Sequence, residues 1–181
     1  MSKMKELKKI IVNKPLKLDC GETIINYPIA YETYGKLNER KDNAILAFHA
    51  LTGDQFLTGI NPVTNKKGWW TYLIGPSKPI DTNKFFVICA NVIGGCMGSF
   101  GPSTVDEKSK KPLGTSFPVI TINDMVNAQY NLLDHFKIKK LFCVIGGSMG
   151  GMQVLQFVSN FPNAAKNAIP IACTAIHSAQ N

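Results

Sequence analysis

The sequence lacks a long apolar run. No segment is apolar over enough residues to cross a lipid bilayer, and the basic residues 1–14 are not followed by the apolar segment and cleavage site of a secretory signal peptide. The 181 residues are 45% hydrophobic and 18% charged, which is typical of one ordinary domain with its own core. We therefore predict a cytoplasmic protein that does not act at a membrane.

Paired cysteines are also lacking. The five cysteines are odd in number and form no CxxC motif. Three of them, Cys89, Cys143 and Cys173, lie in apolar stretches, where a free cysteine serves as a small core residue. We predict neither a disulfide framework nor a zinc site, and the sequence indicates no other metal.

A clustered basic surface is missing, although the net charge is +8. Such a charge would suit a nucleic acid or an anionic co-substrate such as a coenzyme A thioester. The lysines are scattered over residues 1–14, 66–67, 108–111 and 137–140, without a shared helical face or interleaved aromatic residues. Because a basic stripe is the least that a nucleic-acid site needs, we expect no nucleic-acid partner.

The most informative stretch is residues 141–161. Residues 141–145 are all apolar, as in a strand buried on both faces of a parallel sheet, and apolar residues then recur at helical spacing until Pro162. Between the two lies Gly146-Gly147-Ser148-Met149-Gly150, a GxSxG motif in a strand–turn–helix setting. This setting predicts a nucleophile elbow, a tight turn that presents a serine hydroxyl.

Two other interpretations of this motif are weaker. A glycine-rich turn between strand and helix is in some proteins merely flexible, and in others it cradles the phosphates of a dinucleotide. The dinucleotide version needs GxGxxG and an acidic residue roughly 20 positions later. Here Ser148 stands in place of the middle glycine, and no Asp or Glu follows Asp134. We therefore predict that Ser148 is a catalytic nucleophile.

An elbow serine needs two N–H donors for the oxyanion that forms on its substrate. The N–H of Met149, the next residue, is the expected first donor. The second is expected from a loop at the carboxyl end of a neighbouring strand, and the loop after residues 44–48 places Leu51 for this role. His49 lies in the same loop and precedes the serine, so we expect it to hold the loop by hydrogen bonds and not to act as the base.

Strands and helices alternate from residue 85 onward. Apolar runs predict strands at 85–90, 141–145 and 167–174, and helical patterns begin at Thr121 or Asn123 and again after Ser148. This order predicts the α/β class with a mostly parallel, doubly wound sheet. Earlier in the chain we expect an antiparallel hairpin between residues 15–18 and 29–34, and a short helix or packed loop at 69–74.

Five separated blocks stand along the chain in this order: HALTGD at 49–54, NVIGGCMGSFGPS at 91–103, FPVITIND at 117–124, GGSMGGMQ at 146–153 and SAQ at 178–180. A lone GxSxG would identify only a superfamily. With these blocks the sequence resembles the homoserine O-acetyltransferases, enzymes of methionine biosynthesis with the α/β-hydrolase fold, and the resemblance covers nearly the whole chain.

The resemblance implies a function and the residues that carry it. Ser148 is then the nucleophile, and the backbone N–H groups of Leu51 and Met149 form the oxyanion hole. Acetyl-CoA acylates Ser148, and the hydroxyl of L-homoserine takes the acetyl group. Acetyl-CoA is thus a co-substrate, no cofactor is bound permanently, and full-length members are expected to be homodimers.

The partners of the serine are missing. A serine nucleophile needs a histidine base and a carboxylate that orients the base, in the order Ser, Asp or Glu, His for this superfamily. After Ser148 there is no carboxylate, and the one histidine, His177, is interpreted as incidental. Members of the family are about twice as long, so residues 1–181 are expected to be the N-terminal part of a single α/β-hydrolase domain, truncated before the lid and the C-terminal strands.

Three alternatives stay open. The chain could belong to a homoserine O-succinyltransferase or a serine O-acetyltransferase, since the pocket residues that choose donor and acceptor are mostly not visible. It could belong to an esterase of the same fold. It could also be a catalytically inactive fragment that acts as a binding module.

Overall fold

The computed structural model describes residues 7–176, 178 and 179. In this part of the chain no helix has the length and apolarity needed to span a membrane. The elements are, in chain order, β1 (Lys9–Val12), β2 (Leu16–Lys17), β3 (Thr23–Ile24), β4 (Tyr27–Tyr34), β5 (Ala44–Phe48), β6 (Ile74–Gly75), β7 (Ile80–Asp81), β8 (Phe86–Ala90), a 3-10 helix (Gly114–Ser116), α1 (Ile122–Phe136), β9 (Leu141–Gly147), α2 (Met149–Asn160) and β10 (Ala165–Ile171).

Six strands form the main sheet, in the order β1–β4–β8–β5–β9–β10. Strands β8, β5, β9 and β10 are parallel; on one side of them β4 pairs antiparallel with β8, and β1 pairs antiparallel with β4. Helices α1 and α2 lie between successive parallel strands, because a parallel connection has to cross back over the sheet. The predicted α/β class with a mostly parallel sheet is confirmed.

The register of the parallel strands brings their carboxyl ends together. Phe48 at the end of β5 is level with Gly146 of β9, and Gly147 is level with Ile171 of β10. The segments that follow these three strands therefore leave the sheet at the same edge. In open α/β sheets this is the edge at which ligands bind.

The sheet has a core on each face, because successive side chains of a strand point to opposite sides. Helices α1 and α2 cover one face, and the loop between β5 and β6 covers the other within the described residues. The first core joins Leu46, Ile88 and Val144 to Val126, Leu132, Val154 and Phe157. The second joins Ile45, Val87, Cys89, Cys143 and Ile145 to Leu57, Trp69, Trp70 and Ile74.

Two of the cysteines predicted for the core are buried there. Burial raises the pKa of the Cys143 thiol to about 11, and it raises the pKa of Cys89 well above the ordinary value. A thiol held in its neutral form is a poor nucleophile and metal ligand, so both side chains serve to pack the core. Cys173 is half buried, and all five cysteines are free.

Helix α1 begins with a capping box. The Thr121 side chain accepts a hydrogen bond from the Asp124 N–H, and the Asp124 carboxylate accepts one from the Thr121 N–H at 2.9 Å. Thr121 is thus the cap, of the two candidates in the sequence. Asp124 is fully buried and also accepts the N–H of Asp19 at 3.0 Å, which ties the start of the helix to the N-terminal segment.

The predicted N-terminal hairpin is wrong in its second strand. Strand β2 pairs with β3, whereas residues 29–34 lie in β4 and pair with β1 and β8 in the main sheet. Strand β3 has two residues, which is too short to leave an alternating pattern in the sequence. Residues 69–73 form turns, so the packed loop is found there and not the short helix.

Candidate active site

Ser148 lies on the turn between β9 and α2, at the carboxyl edge of the sheet. Its backbone is strained, with φ 56° and ψ −123°, a region that L-residues rarely occupy. An ordinary N-cap serine has an extended backbone, and its oxygen accepts an N–H of the first helical turn. Ser148 makes no such bond; its side chain is exposed, and its hydroxyl has no hydrogen-bond partner among the residues that the structure describes.

The main chain of Ser148 is held on both sides. Its N–H donates to the carbonyl of Ile171 at 3.0 Å, and its own carbonyl accepts the N–H of Met152 at 3.1 Å. The turn is therefore fixed between β10 and α2 while the hydroxyl stays unengaged. Such an arrangement keeps a strained conformation in place, because the surrounding structure determines it more strongly than the residue's own preference.

Close packing explains the glycines around the serine. A Cβ on Gly150 would overlap the carbonyl oxygen of Phe48, and a Cβ on Gly146 would overlap the carbonyl oxygen of Gly150. Strand β9, the start of α2 and the end of β5 thus approach one another at backbone distance. The first turn of α2, whose N–H groups have no partners inside the helix, is brought against the end of β5.

The segment after β5 forms a tight turn, residues 50–53. The N–H of Gly53 donates to the carbonyl of Ala50 at 2.8 Å, which places Leu51 at the first central position of a β-turn. The Leu51 side chain is 76% exposed, and its N–H has no acceptor within the described ranges. Leu51 therefore presents a free backbone donor beside the strand that neighbours the Ser148 turn.

His49 is buried below this turn and joins two loops. Its Nδ1 donates to the carbonyl of Ala50 at 2.8 Å, and its Nε2 accepts the N–H of Val92 at 3.1 Å; the side-chain amide of Asn91 lies 3.3 Å from Nε2. Burial lowers the pKa of the imidazole, which is thus held neutral. Its acceptor nitrogen is occupied, so His49 holds the loop, as the sequence predicts, and is not available as a base for Ser148.

The glycine-rich loop at residues 91–103 is held by internal hydrogen bonds. The Asn91 side chain accepts the N–H of Met97 at 3.0 Å, and the Ser99 hydroxyl donates to the Asn91 carbonyl at 2.5 Å. Gln55 donates to the carbonyl of Met97 at 3.0 Å, which connects this loop to the one after β5. The loop is therefore a fixed wall beside His49.

A buried pair of amides, Gln153 and Gln129, lies beside the serine turn and is not predicted from the sequence. Gln153 lies in α2, one turn after Met149, and its side-chain nitrogen is 3.4 Å from the carbonyls of both His49 and Met149. Its side-chain oxygen accepts the amide of Gln129 from α1 at 2.7 Å. The polar residue within a buried helical pattern was the available signal, since a buried glutamine needs hydrogen-bond partners.

The other histidines do not reach the serine within the described residues. His135 lies in the last turn of α1, where its Nε2 is 3.4 Å from the Tyr31 hydroxyl. His177 lies outside the described residues. In the described ranges no three His, Cys, Asp or Glu side chains are grouped as a metal site would require.

This chain is similar in sequence to a known family and to several curated proteins. A family model described as alpha/beta hydrolase fold matches residues 43–178. The homoserine O-acetyltransferase of Pelagibacter ubique is 73% identical over 97% of this chain and 47% of its own length. That of Mesorhizobium japonicum is 60% identical over 93% of this chain and 43% of its own length. The chain therefore spans about half the length of these curated relatives.

Solved structures give the same fold at lower identity. Homoserine O-acetyltransferase from Bacillus anthracis superimposes with a TM-score of 0.88 at 30% identity, over 96% of this chain and 48% of that protein. The L374D mutant of esterase E22 superimposes with a TM-score of 0.87 at 32% identity, over 97% and 49%. With its parallel sheet, its serine turn between strand and helix, and a family model matching most of its residues, the chain belongs to the alpha/beta hydrolase fold family.

Proposed function

We propose that this chain carries the nucleophile and oxyanion hole of an acyltransferase that moves the acetyl group of acetyl-CoA to the hydroxyl of L-homoserine. The observation that carries the proposal is the Ser148 hydroxyl. It is exposed on a strained turn at the start of α2, and it does not cap the helix. A serine with a purely structural role at a helix start would cap the helix. The relatives named homoserine O-acetyltransferase supply the donor and the acceptor.

In the first step the Ser148 Oγ attacks the thioester carbonyl carbon. The Oγ–C bond forms, the serine proton passes to a base, and the carbonyl oxygen becomes an oxyanion between the N–H groups of Leu51 and Met149. The C–S bond then breaks, and coenzyme A leaves as its thiol after taking up the proton. Each oxyanion donor of this kind is typically worth ~10² to 10³ in rate.

In the second step the homoserine hydroxyl attacks the acetyl-serine ester. Its oxygen forms the new ester bond, the bond to Ser148 Oγ breaks, and the proton from the substrate hydroxyl returns to the serine. The same two N–H groups stabilise the second oxyanion. Transfer in place of hydrolysis requires that water be kept from the acetyl-serine until homoserine binds.

The base for these proton transfers is not among the described side chains around Ser148. His49 is buried with its acceptor nitrogen occupied, and His135 contacts Tyr31. We therefore place residues 1–181 as the N-terminal part of one hydrolase domain whose His and Asp lie further along the protein, as the relatives of about twice this length suggest.

We also place the protein in the cytoplasm as a homodimer. Sedimentation of the intact protein tests the dimer.

The test uses the protein translated from the complete reading frame. We expect it to release thiol from acetyl-CoA when L-homoserine is present, and Ser148→Ala to lose this activity by at least about 10³-fold, as in serine enzymes that lose their nucleophile. Ser159→Ala is the matched control, because Ser159 is exposed on the same helix. The proposal is overturned if Ser148→Ala retains the wild-type rate. The 181-residue chain alone should turn over far more slowly than the complete protein.

An esterase is the second candidate, favoured by the similarity to esterase E22. Hydrolysis differs from transfer only in the second acceptor, water in place of homoserine. Acetyl-CoA consumption with and without homoserine separates the two: an esterase consumes acyl donor at the same rate in both. Succinyl-CoA and L-serine as substitutes test the choice of donor and acceptor.

A further inference from the structure

We propose that Gln153 is a positioning residue for the oxyanion hole, acting through the carbonyl of His49 on the N–H of Leu51. The inference rests on the proposed function, since it concerns the donor that Leu51 supplies. Gln153 is fully buried, and its amide nitrogen lies 3.4 Å from the His49 carbonyl oxygen. This contact joins a side chain of α2 to the segment between β5 and the turn at residues 50–53.

The position of the Leu51 N–H is determined by the peptide that precedes it. A peptide unit is planar, so the direction of the Ala50 carbonyl fixes the direction of the Leu51 N–H. The Ala50 carbonyl accepts two hydrogen bonds, from His49 Nδ1 at 2.8 Å and from the Gly53 N–H at 2.8 Å. Any tilt of His49 therefore moves the donor of Leu51.

His49 itself is held from two sides, by the loop after β8 and by α2. Its ring accepts the Val92 N–H at 3.1 Å, which fixes the side chain against the loop after β8. Its carbonyl faces Gln153, which fixes the main chain against α2, the helix that follows Ser148 and begins at Met149. Gln153 thus relates the two proposed oxyanion donors to each other, because its amide lies 3.4 Å from the Met149 carbonyl as well.

Burial of the Gln153 side chain is energetically unfavourable, which indicates that this residue does more than pack the core. Gln153 is bonded to Gln129, and the side-chain oxygen of Gln129 is buried without a partner among the described residues. An unpaired buried acceptor is unfavourable, and two apolar side chains of similar volume would fill the space between α1 and α2 without that loss. The amide at Gln153, and with it the buried pair, is explained if the His49 carbonyl needs a hydrogen-bond donor.

The experiment compares Gln153→Met with Gln156→Met in the protein translated from the complete reading frame. Methionine keeps the length of the side chain and removes the donor to His49. Gln156 lies on the same helix, and among the described residues its side chain bonds to Asn160 alone, at 2.7 Å, so its variant controls for the loss of a helix amide. We expect Gln153→Met to lower kcat about 10- to 100-fold with KM changed less than twofold, as misplacement of a catalytic donor does. Gln156→Met should leave both constants unchanged.

A second readout isolates the oxyanion hole. A small alkyl boronic acid forms a tetrahedral adduct with Ser148 whose oxygen lies where the oxyanion would, so its affinity should fall by the same factor as kcat. Gln153→Leu, which also removes the donor to His49 and has no group that can take up a proton, should behave like Gln153→Met. Wild-type kcat in either folded variant overturns the inference, and so does failure of both to fold. Absence of acyl transfer in the wild-type protein would instead overturn the proposed function.

Discussion

At the scale of single residues, the site depends on how closely the backbone of α2 approaches β5. Gly150→Ala should destabilise the protein by about 1–3 kcal/mol, because the added Cβ overlaps the Phe48 carbonyl oxygen and forces helix and strand apart. Gly147→Ala is the matched control from the same motif: a Cβ there meets nothing within 4 Å, so its effect should stay within about 0.5 kcal/mol. Urea unfolding measures both. Equal destabilisation by the two substitutions would contradict the close approach.

His49 gives a second prediction at this scale, a loss of stability in mild acid. Its pKa is below the ordinary 6.5 in the folded protein, chiefly because of burial, and returns to that value on unfolding. As the pH falls below 6.5, the unfolded chain takes up a proton that the folded chain does not, so the free energy of unfolding falls by at most about 1.4 kcal/mol per pH unit until the folded pKa is reached. Above about pH 7 this contribution is constant.

Unfolding by urea between pH 7.5 and pH 5 measures this slope. His49→Gln should flatten it, because the substituted side chain does not titrate. Ser159→Ala, which changes an exposed side chain that does not titrate, should leave the slope as it is. The same slope in wild type and His49→Gln would show that His49 does not contribute.

At the scale of elements, the cap of α1 joins local and long-range structure. Thr121→Ala removes the acceptor for the Asp124 N–H and the hydroxyl that donates to Asp19 at 2.5 Å, so we expect a loss of about 1–2 kcal/mol. Thr115→Ala is the control, since Thr115 is exposed in the 3-10 helix. Urea unfolding and helix content by circular dichroism measure the effect; a change below about 0.3 kcal/mol would contradict it.

The elements also show what the sequence can predict. Strands β5, β8 and β9 were predicted because a strand buried on both faces is a continuous apolar run, and the Ser148 turn because GxSxG stands between such a run and a helical pattern. Strand β3 is not predicted from the sequence, because its two residues are too few to show an alternating pattern. The sequence alone indicates no role for Gln153, because its partners His49 and Gln129 are distant in sequence and the packing of α2 brings them together.

At the scale of the whole molecule, β10 is one of the two edge strands of the main sheet, with β1 at the other edge. Residues 166–171 are exposed, with Ile169 at 45% and Ile171 at 40%, and the outer side of the strand has no partner strand in the described part of the chain. Pro170 removes one N–H donor from this strand, yet the remaining backbone groups and the isoleucines form the kind of edge on which other strands add. We therefore expect the 181-residue chain, expressed by itself, to associate as its concentration rises.

Ile169→Lys should weaken that association, because a charge on an edge strand opposes strand addition. Ile60→Lys is the control, since Ile60 is 59% exposed and lies outside the main sheet. Light scattering over a range of concentrations should show growth of large species for the wild-type chain and for Ile60→Lys, and less growth for Ile169→Lys. A wild-type chain that stays monomeric at all concentrations and melts cooperatively would mean that β10 is stable as an uncovered edge.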